Sequence, residues 1–140
     1  MNMITTRSRY GLRMLIELAE TGGTEPLDLA TIAKRQQIPE HYLSKLAIPL
    51  KTAGILRTER GAHGGYRLAK PASDIDLLTV VEVLEGRSSL LVCTQDPLCC
   101  SRSGECRTLP VWNGLDKIFK DYLKGMTVAT VAHKFPDYSI

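Results

Sequence analysis

Apolar residues recur every three or four positions in several parts of the chain, and glycine-containing or polar segments separate these parts. This periodicity is typical of amphipathic helices. It predicts a first helix that begins at Thr5 or Thr6 and ends near Ala19, and a second that follows Asp28 and ends near Gln36. Thr and Asp are favourable N-caps because their side-chain oxygens accept a hydrogen bond from a free backbone N–H.

A third helix is predicted from Pro39 to about Gly54, with a polar face and an apolar face. Proline suits the first position of a helix, whereas Pro49 within the pattern predicts a kink or a loosened last turn. The apolar face consists of Tyr42, Leu43, Leu46 and Leu50, and the polar face of Glu40, His41, Ser44 and Lys45. Two short helices joined by a tight turn, with polar residues at the start of the second, predict a helix-turn-helix.

Two short segments after the third helix, residues 55–58 and 66–68, predict the strands of a β-hairpin. Glycines in the intervening loop adopt backbone angles closed to other residues and let the main chain approach a ligand. The loop contains Arg60, Gly61, Ala62, His63, Gly64 and Gly65. A basic hairpin directly after a helix-turn-helix is the wing of a winged helix. A nucleotide-phosphate loop is the weaker alternative, because neither glycine-rich nucleotide motif is present.

Two longer helical patterns follow the hairpin. The first begins after Asp74 or Asp76, ends at Gly86 and is interpreted as core support. The second runs from about Leu109 to Met126 and carries one long apolar stripe, formed by Trp112, Leu115, Phe119, Tyr122, Leu123 and Met126. Because so much apolar surface exceeds what a small domain covers, we expect a partner helix from a second copy of the chain.

All four cysteines lie between these two helices, within 14 residues. They are Cys93, Cys99, Cys100 and Cys106. Pro97, Gly104 and several small polar residues predict that the segment is a loop. Clustered thiolates select zinc, copper(I) or iron–sulfur clusters. In a reducing cytosol, such cysteines more often serve metal or redox chemistry than disulfides.

Composition narrows the class of protein. The chain has 140 residues, of which 44% are apolar, and no apolar run approaches the roughly 20 residues that span a bilayer. Arginines interrupt the N-terminus where a signal peptide is apolar, so we expect a cytoplasmic protein. Residues 1–70 hold 11 Lys or Arg against 6 Asp or Glu, which suggests phosphate contacts there. The three histidines are scattered and no acid–base motif is present, so we expect no enzymatic activity.

Taken together, these residues resemble the Rrf family of bacterial transcription regulators, which has IscR-, NsrR- and CymR-like members. The resemblance rests on RSRYGLRML near the start, HYLSKLAIPLKTAGIL in the third helix, RGAHGGYRLAKP in the hairpin, and the cysteine loop. It implies a mainly α fold with a small β-hairpin wing. The implied parts are a winged helix-turn-helix domain over residues 1–86, a cysteine-rich sensor loop over 87–108, and a dimerisation helix with a tail over 109–140.

The resemblance also implies partners and contacts. The expected protein is a homodimer that binds a palindromic operator in double-stranded DNA, with no membrane and no small-molecule substrate. Carried over by position, the helical DNA contacts are Arg9, Pro39, His41, Tyr42, Ser44 and Lys45. The wing contacts are Arg60, Ala62, His63, Gly64 and Gly65.

Cluster-binding members of the family hold a [2Fe–2S] or [4Fe–4S] cluster with three cysteines, each separated from the next by five residues. The implied ligands, in order of preference, are Cys93 and Cys106, then Cys99, then Cys100. This sequence lacks the fourth ligand that the resemblance implies. Leu109 occupies the position of the IscR-like histidine, and Arg9 occupies the position of the NsrR-like aspartate. A fourth cysteine, a residue such as His41, Glu82 or Glu105, or a small thiol is the remaining source of the fourth ligand.

Three functional hypotheses follow. The first is a DNA-binding regulator whose operator binding is controlled by an iron–sulfur cluster that responds to redox state, iron–sulfur status or nitric oxide. The second keeps the winged helix but replaces the cluster with zinc or with reactive thiols at Cys99 and Cys100. The third is a CymR-like regulator of sulfur metabolism that acts through a partner enzyme.

Overall fold

The computed structural model of the protein describes residues 4–21, 25–87 and 89–132. The helices are α1 (Thr6–Glu20), α2 (Leu29–Gln36), α3 (Glu40–Thr52), α4 (Leu77–Glu85), α5 (Val92–Gln95), α6 (Leu109–Lys124) and α7 (Val128–Ala132). The strands are β1 (Leu56–Glu59) and β2 (Gly65–Leu68), which pair antiparallel. This arrangement confirms the predicted mainly α fold with a β-hairpin wing. The predicted tail after residue 132 lies outside the described residues.

The helices begin where the sequence places good N-caps. Thr5, rather than Thr6, caps α1 and accepts the backbone N–H of Arg7 at 3.2 Å. Asp28 caps α2 and Asp76 caps α4, and each accepts the backbone N–H three residues later at 2.8 Å. These contacts satisfy donors that a helix start otherwise leaves without an intrahelical partner.

Several local expectations need correction. Pro39 is the N-cap of α3 rather than its first helical residue. Pro49 lies inside the last turn as predicted, and the helix ends at Thr52. The first strand begins one residue later than predicted, since the N–H of Ile55 donates to the carbonyl of Leu50 in α3 at 2.9 Å. The cysteine segment is not a plain loop, since it contains α5 and a 3₁₀ turn at Pro97–Cys99.

The core lies between α1, α3 and α4, and the hairpin and α7 close it. The three leucines of the predicted apolar face of α3, Leu43, Leu46 and Leu50, are buried, and Tyr42 is partly exposed. In the hairpin, Leu56 faces Leu68, and both side chains enter the core. This packing fixes the register of the wing, because a slip by one residue would turn the apolar side chains outward.

Candidate nucleic-acid interface and cysteine loop

The first two turns of α3 present a polar surface to solvent. His41 and Lys45 are exposed, Ser44 is partly exposed, and Pro39 is exposed at the helix start. The Ser44 hydroxyl donates to the carbonyl of His41 at 2.7 Å, which holds it against its own helix. These residues therefore form one surface at the N-terminal end of α3, the part of a recognition helix that reaches base edges.

Tyr42 joins α3 to the start of α1 and is only partly exposed. Its ring packs edge-on against Tyr10, with the ring centres 5.6 Å apart and the planes at 83°. Its hydroxyl lies 3.0 Å from the hydroxyl of Thr6. These contacts fix the orientation of α3 on α1, a role that the sequence alone did not indicate for Tyr42.

The two arginines at the start of α1 point to different parts of the molecule. Arg7 lines a cavity of about 240 Å³ with Tyr42 and Lys45, beside the exposed surface of α3. Arg9 lines an apolar cavity of about 320 Å³ with residues of α4 and α6, including Phe119. Position i and position i+2 of a helix face different directions, so only one of these arginines lies next to α3.

The tip of the wing is exposed and depends on two glycines. A Cβ atom at Gly64 would lie 2.3 Å from the carbonyl oxygen of Glu59, and one at Gly65 would lie 2.4 Å from the carbonyl of Leu27. Gly65 also has a φ of +156°, which favours glycine. At both glycines the main chain passes close to another backbone segment. Arg60, Ala62 and His63 are exposed at the tip of the wing.

The base of the wing carries an ion-pair cluster. Arg57 and Arg67 lie directly opposite each other in the two strands. The carboxylate of Glu59 lies 2.6 Å from Arg67 and 3.9 Å from Arg57. Two cations directly opposite each other repel, and the shared carboxylate reduces this repulsion. The face of the hairpin away from the core is therefore positively charged.

The cysteines occupy an accessible segment between α4 and α6. Cys93 and Cys106 are half-buried, Cys99 and Cys100 are exposed, and all four are free thiols. A hydrogen bond with the Thr108 hydroxyl, 3.3 Å from the sulfur, lowers the pKa of Cys106. Desolvation and the nearby carboxylate of Asp96 raise the pKa of Cys99. The four thiols are therefore not chemically equivalent.

The predicted ligand set is not assembled in this arrangement. Within residues 4–21, 25–87 and 89–132, no three His, Cys, Asp or Glu side chains lie where they could hold one metal ion. The thiol chemistry suits a soft metal centre, but the geometry does not provide the required site. Leu109 begins α6 and Arg9 lies on α1, and neither side chain is a usual metal ligand.

The helix after the cysteines has two apolar faces. The inner face includes Leu123, which packs against the core together with Met126 just beyond the helix end. The outer face carries side chains with 61, 49, 67 and 58% of their surface exposed, namely Val111, Leu115, Ile118 and Tyr122. Their spacing of four, three and four residues is that of a coiled-coil seam. The sequence predicted one apolar stripe on this helix, whereas the structure has two apolar surfaces. Val111 and Ile118 belong to the outer surface and were not part of the predicted stripe.

Comparison with known proteins identifies the family. Residues 4–134 match the Rrf2 family, described as iron-dependent transcriptional regulators. The chain belongs to the Rrf2 family. It is 40% identical over 126 residues to protein rrf2 of Nitratidesulfovibrio vulgaris Hildenborough, covering 90% of this chain and 84% of that one. The predicted family is therefore confirmed, and with it the prediction of a regulator rather than an enzyme.

Solved structures of Rrf2-type regulators have the same fold. CymR of Bacillus subtilis, named as its global cysteine regulator, superposes with a TM-score of 0.79 and is 32% identical, covering 95% of this chain and 98% of that one. IscR of T. potens superposes with a TM-score of 0.75 and is 30% identical, covering 96% and 93%. Both neighbours support a winged-helix, DNA-binding transcriptional regulator. Among the described helices, none has the length and apolar character needed to cross a bilayer.

Proposed function

We propose that this Rrf2-family regulator binds a palindromic operator as a homodimer, and that its cysteine loop controls binding by holding an iron–sulfur cluster. The observation that carries the proposal is the position of the thiols. Four free cysteines lie in one accessible segment that connects the winged helix to a helix with an uncovered apolar face. A change in this segment therefore acts on the relative placement of the two DNA-binding units of a dimer.

In the proposed complex, the start of α3 enters the major groove and the wing lies along the minor groove. The exposed side chains of His41, Ser44 and Lys45 meet base edges or phosphates. Arg60 and His63 reach the minor groove, whose narrow form attracts arginine. The remaining predicted contacts are backbone or positioning contacts from Pro39, Tyr42, Ala62, Gly64 and Gly65. We add Arg7 as a phosphate contact, because it lies beside Lys45, whereas Arg9 lies on the side of α6.

The proposed dimer forms through the outer face of α6. Val111, Leu115 and Ile118 are exposed and follow a heptad spacing. A contiguous apolar surface of this kind on a small protein marks an interaction site. Pairing two copies through the same face gives a two-fold axis, which matches a palindromic operator.

The proposed cluster ligands are Cys93 and Cys106, then Cys99, then Cys100. Support comes from thiolate chemistry, from the family description as iron-dependent regulators, and from the similarity to IscR of T. potens. An iron–sulfur cluster supplies redox-sensitive chemistry whose potential depends on its ligands and exposure. The segment has to rearrange to bring three of these thiolates together, because the described residues do not form such a set.

A second function is favoured by the departures from the cluster-binding pattern. Position 109 is Leu and position 9 is Arg, and Cys99 and Cys100 are adjacent and exposed. In this alternative, the thiols bind zinc or react with oxidants, or the protein is a CymR-like regulator of sulfur metabolism acting through a partner enzyme. The winged helix and the DNA contacts are the same in both cases.

The test is to purify the protein without oxygen and to measure its visible absorption, iron and acid-labile sulfide. A coloured protein with matched iron and sulfide supports the cluster, and single Ser replacements of Cys99 and Cys100 then identify the third ligand. A protein that stays colourless after reconstitution refutes the cluster and leaves zinc or reactive thiols.

DNA binding is tested separately, on an operator selected from random double-stranded oligonucleotides. Replacing Arg60 with Ala is expected to weaken binding and to reduce the slope of affinity against salt by about one, because one phosphate or groove contact is lost. Lys124→Ala is the control, since it removes one exposed positive charge from α6. Equal effects of both substitutions would show that only overall charge matters.

A further inference from the structure

A partly buried ion pair on α6 has a partner outside its own helix. Asp116 is only 5% exposed, although the other acidic residue of this helix, Asp121, is exposed. One carboxylate oxygen of Asp116 lies 2.8 Å from the ammonium of Lys120. The other accepts the backbone N–H of Leu90 at 2.7 Å. A buried carboxylate is unfavourable unless it is paired and hydrogen-bonded, and both conditions are met here.

Lys120 extends the same contact to the preceding residue. Its ammonium donates to the hydroxyl of Ser89 at 3.0 Å, and Ser89 is only 2% exposed. Two consecutive residues of the cysteine segment are therefore attached to α6. Leu90 lies three residues before Cys93, and Leu91 is the N-cap of the short helix that contains Cys93.

The rest of the cysteine segment is held differently. From residue 97 to residue 106, the described hydrogen bonds join groups at most three residues apart, such as the N–H of Cys99 with the carbonyl of Asp96. Cys99 and Cys100 are exposed, whereas Cys93 is half-buried. The segment thus has a first part attached to α6 and a second part whose described hydrogen bonds are local.

We propose that Asp116 and Lys120 are positioning residues that hold Cys93 in place by fixing Ser89 and Leu90 to α6. The inference rests on the proposed function in one respect, that the cysteine segment is the regulatory element. It holds whether the thiols bind an iron–sulfur cluster, bind zinc or react with oxidants. Cys93 is then the fixed reference towards which the other thiols move. A displacement of residues 89–90 is transmitted directly to the proposed dimerisation helix.

The experiment uses the full chain, metal-free and reduced, with Asp116→Asn as the test variant. Asn keeps the size of the side chain and removes the charge that pairs with Lys120. The alkylation rate of Cys93 is measured by pulse labelling and fragment mass spectrometry, and the amide exchange rate of Leu90 by hydrogen–deuterium exchange. Both rates are expected to rise at least about tenfold, because opening of the segment then breaks a neutral hydrogen bond from Leu90 instead of a charge-assisted one.

Asp121→Asn is the matched control. Asp121 also pairs with a lysine four residues away on α6, Lys117, at 2.6 Å, but these side chains are 63% and 77% exposed. Surface pairs of this type contribute little, so both rates are expected to stay within about twofold. Unchanged rates in Asp116→Asn, or equal changes in both variants, would overturn the proposal.

A second variant covers the case in which Asp116→Asn does not fold. Lys120→Met removes the same pair from the other side, at a position whose side chain is one-third exposed, and leaves the Leu90 contact to Asp116 in place. It is expected to raise the Cys93 rate, and an unchanged rate would contradict the proposal. The protein is metal-free in this experiment, so a separate failure of cluster reconstitution refutes the cluster without affecting this result. Unchanged rates refute the positioning role without affecting the cluster.

Discussion

Replacement of Ile118 with Ala tests whether the outer face of α6 joins two copies of the chain. Ile118 is 67% exposed in the single chain, and its neighbours Leu115 and Val111 are also exposed. Full burial of an isoleucine side chain contributes about 1.5–3 kcal/mol, so covering the exposed two-thirds contributes about 1–2 kcal/mol. A two-fold dimer contains the substitution twice, which gives a loss of about 2–4 kcal/mol.

This loss corresponds to a dimer dissociation constant about 30- to 1,000-fold higher, since each 1.4 kcal/mol is roughly a factor of ten. The assay is sedimentation velocity over a dilution series, with circular dichroism to verify that the variant is folded. Ile118 contributes little to the core of its own chain. The melting temperature, measured at a protein concentration well below the dissociation constant, is therefore expected to change little.

Ile48→Ala is the matched control. Ile48 is 65% exposed, nearly the same fraction as Ile118, but it lies on α3. The same atoms are removed from a different surface, so the dissociation constant is expected to stay within about twofold of wild type. If Ile48→Ala and Ile118→Ala weaken the dimer equally, or if neither does, the outer face of α6 is not the interface.

Two further predictions concern the wing and the start of α1. Gly65→Ala is expected to lower the free energy of unfolding, measured in urea, by about 1–3 kcal/mol. The added Cβ would lie 2.4 Å from the Leu27 carbonyl, and the φ of +156° at this position favours glycine. An unchanged free energy of unfolding would contradict this. Burial raises the pKa of Glu85, but hydrogen bonds from Ser8 and Thr5 outweigh it and leave the pKa below its usual value. Wild type is therefore expected to be more stable than Glu85→Gln above about pH 4.3, with the difference lost as the pH falls through the lowered pKa; a pH-independent difference would refute this.

The helices and the wing could be predicted because their signals are local. An N-cap such as Asp28 or Asp76 acts within three residues, and the glycines of the wing lie beside the turn that needs them. The apolar face of α3 follows from spacing alone, because a helix turns by a fixed angle per residue. These features need no knowledge of the rest of the fold, so the sequence was sufficient for them.

The division of α6 into two faces could not be predicted from spacing. Leu115 and Leu123 belong to the same apolar pattern, yet one is half exposed and the other packs against the core. Which side is covered depends on where α4 and the core lie, and that is a tertiary property. The role of Asp116 and Lys120 could not be predicted for the same reason, because it depends on tertiary packing. Their i, i+4 spacing is that of an ordinary solvent-exposed pair.

The start of the cysteine segment is attached to two functional parts of the protein. On the side of α4, the carboxylate of Glu85 accepts the hydroxyl of Ser8 at 2.6 Å and the N–H of Thr5 at 2.8 Å. The adjacent Thr6 contacts Tyr42 of α3, so this end reaches the proposed DNA-binding surface. At Ser89 and Leu90, the segment is attached to α6, the proposed dimerisation helix. The cysteines follow both attachments and lead into α6 at Leu109. Under the proposed function, a chemical change at the cysteines therefore alters the position of α6 relative to α3 without unfolding either helix.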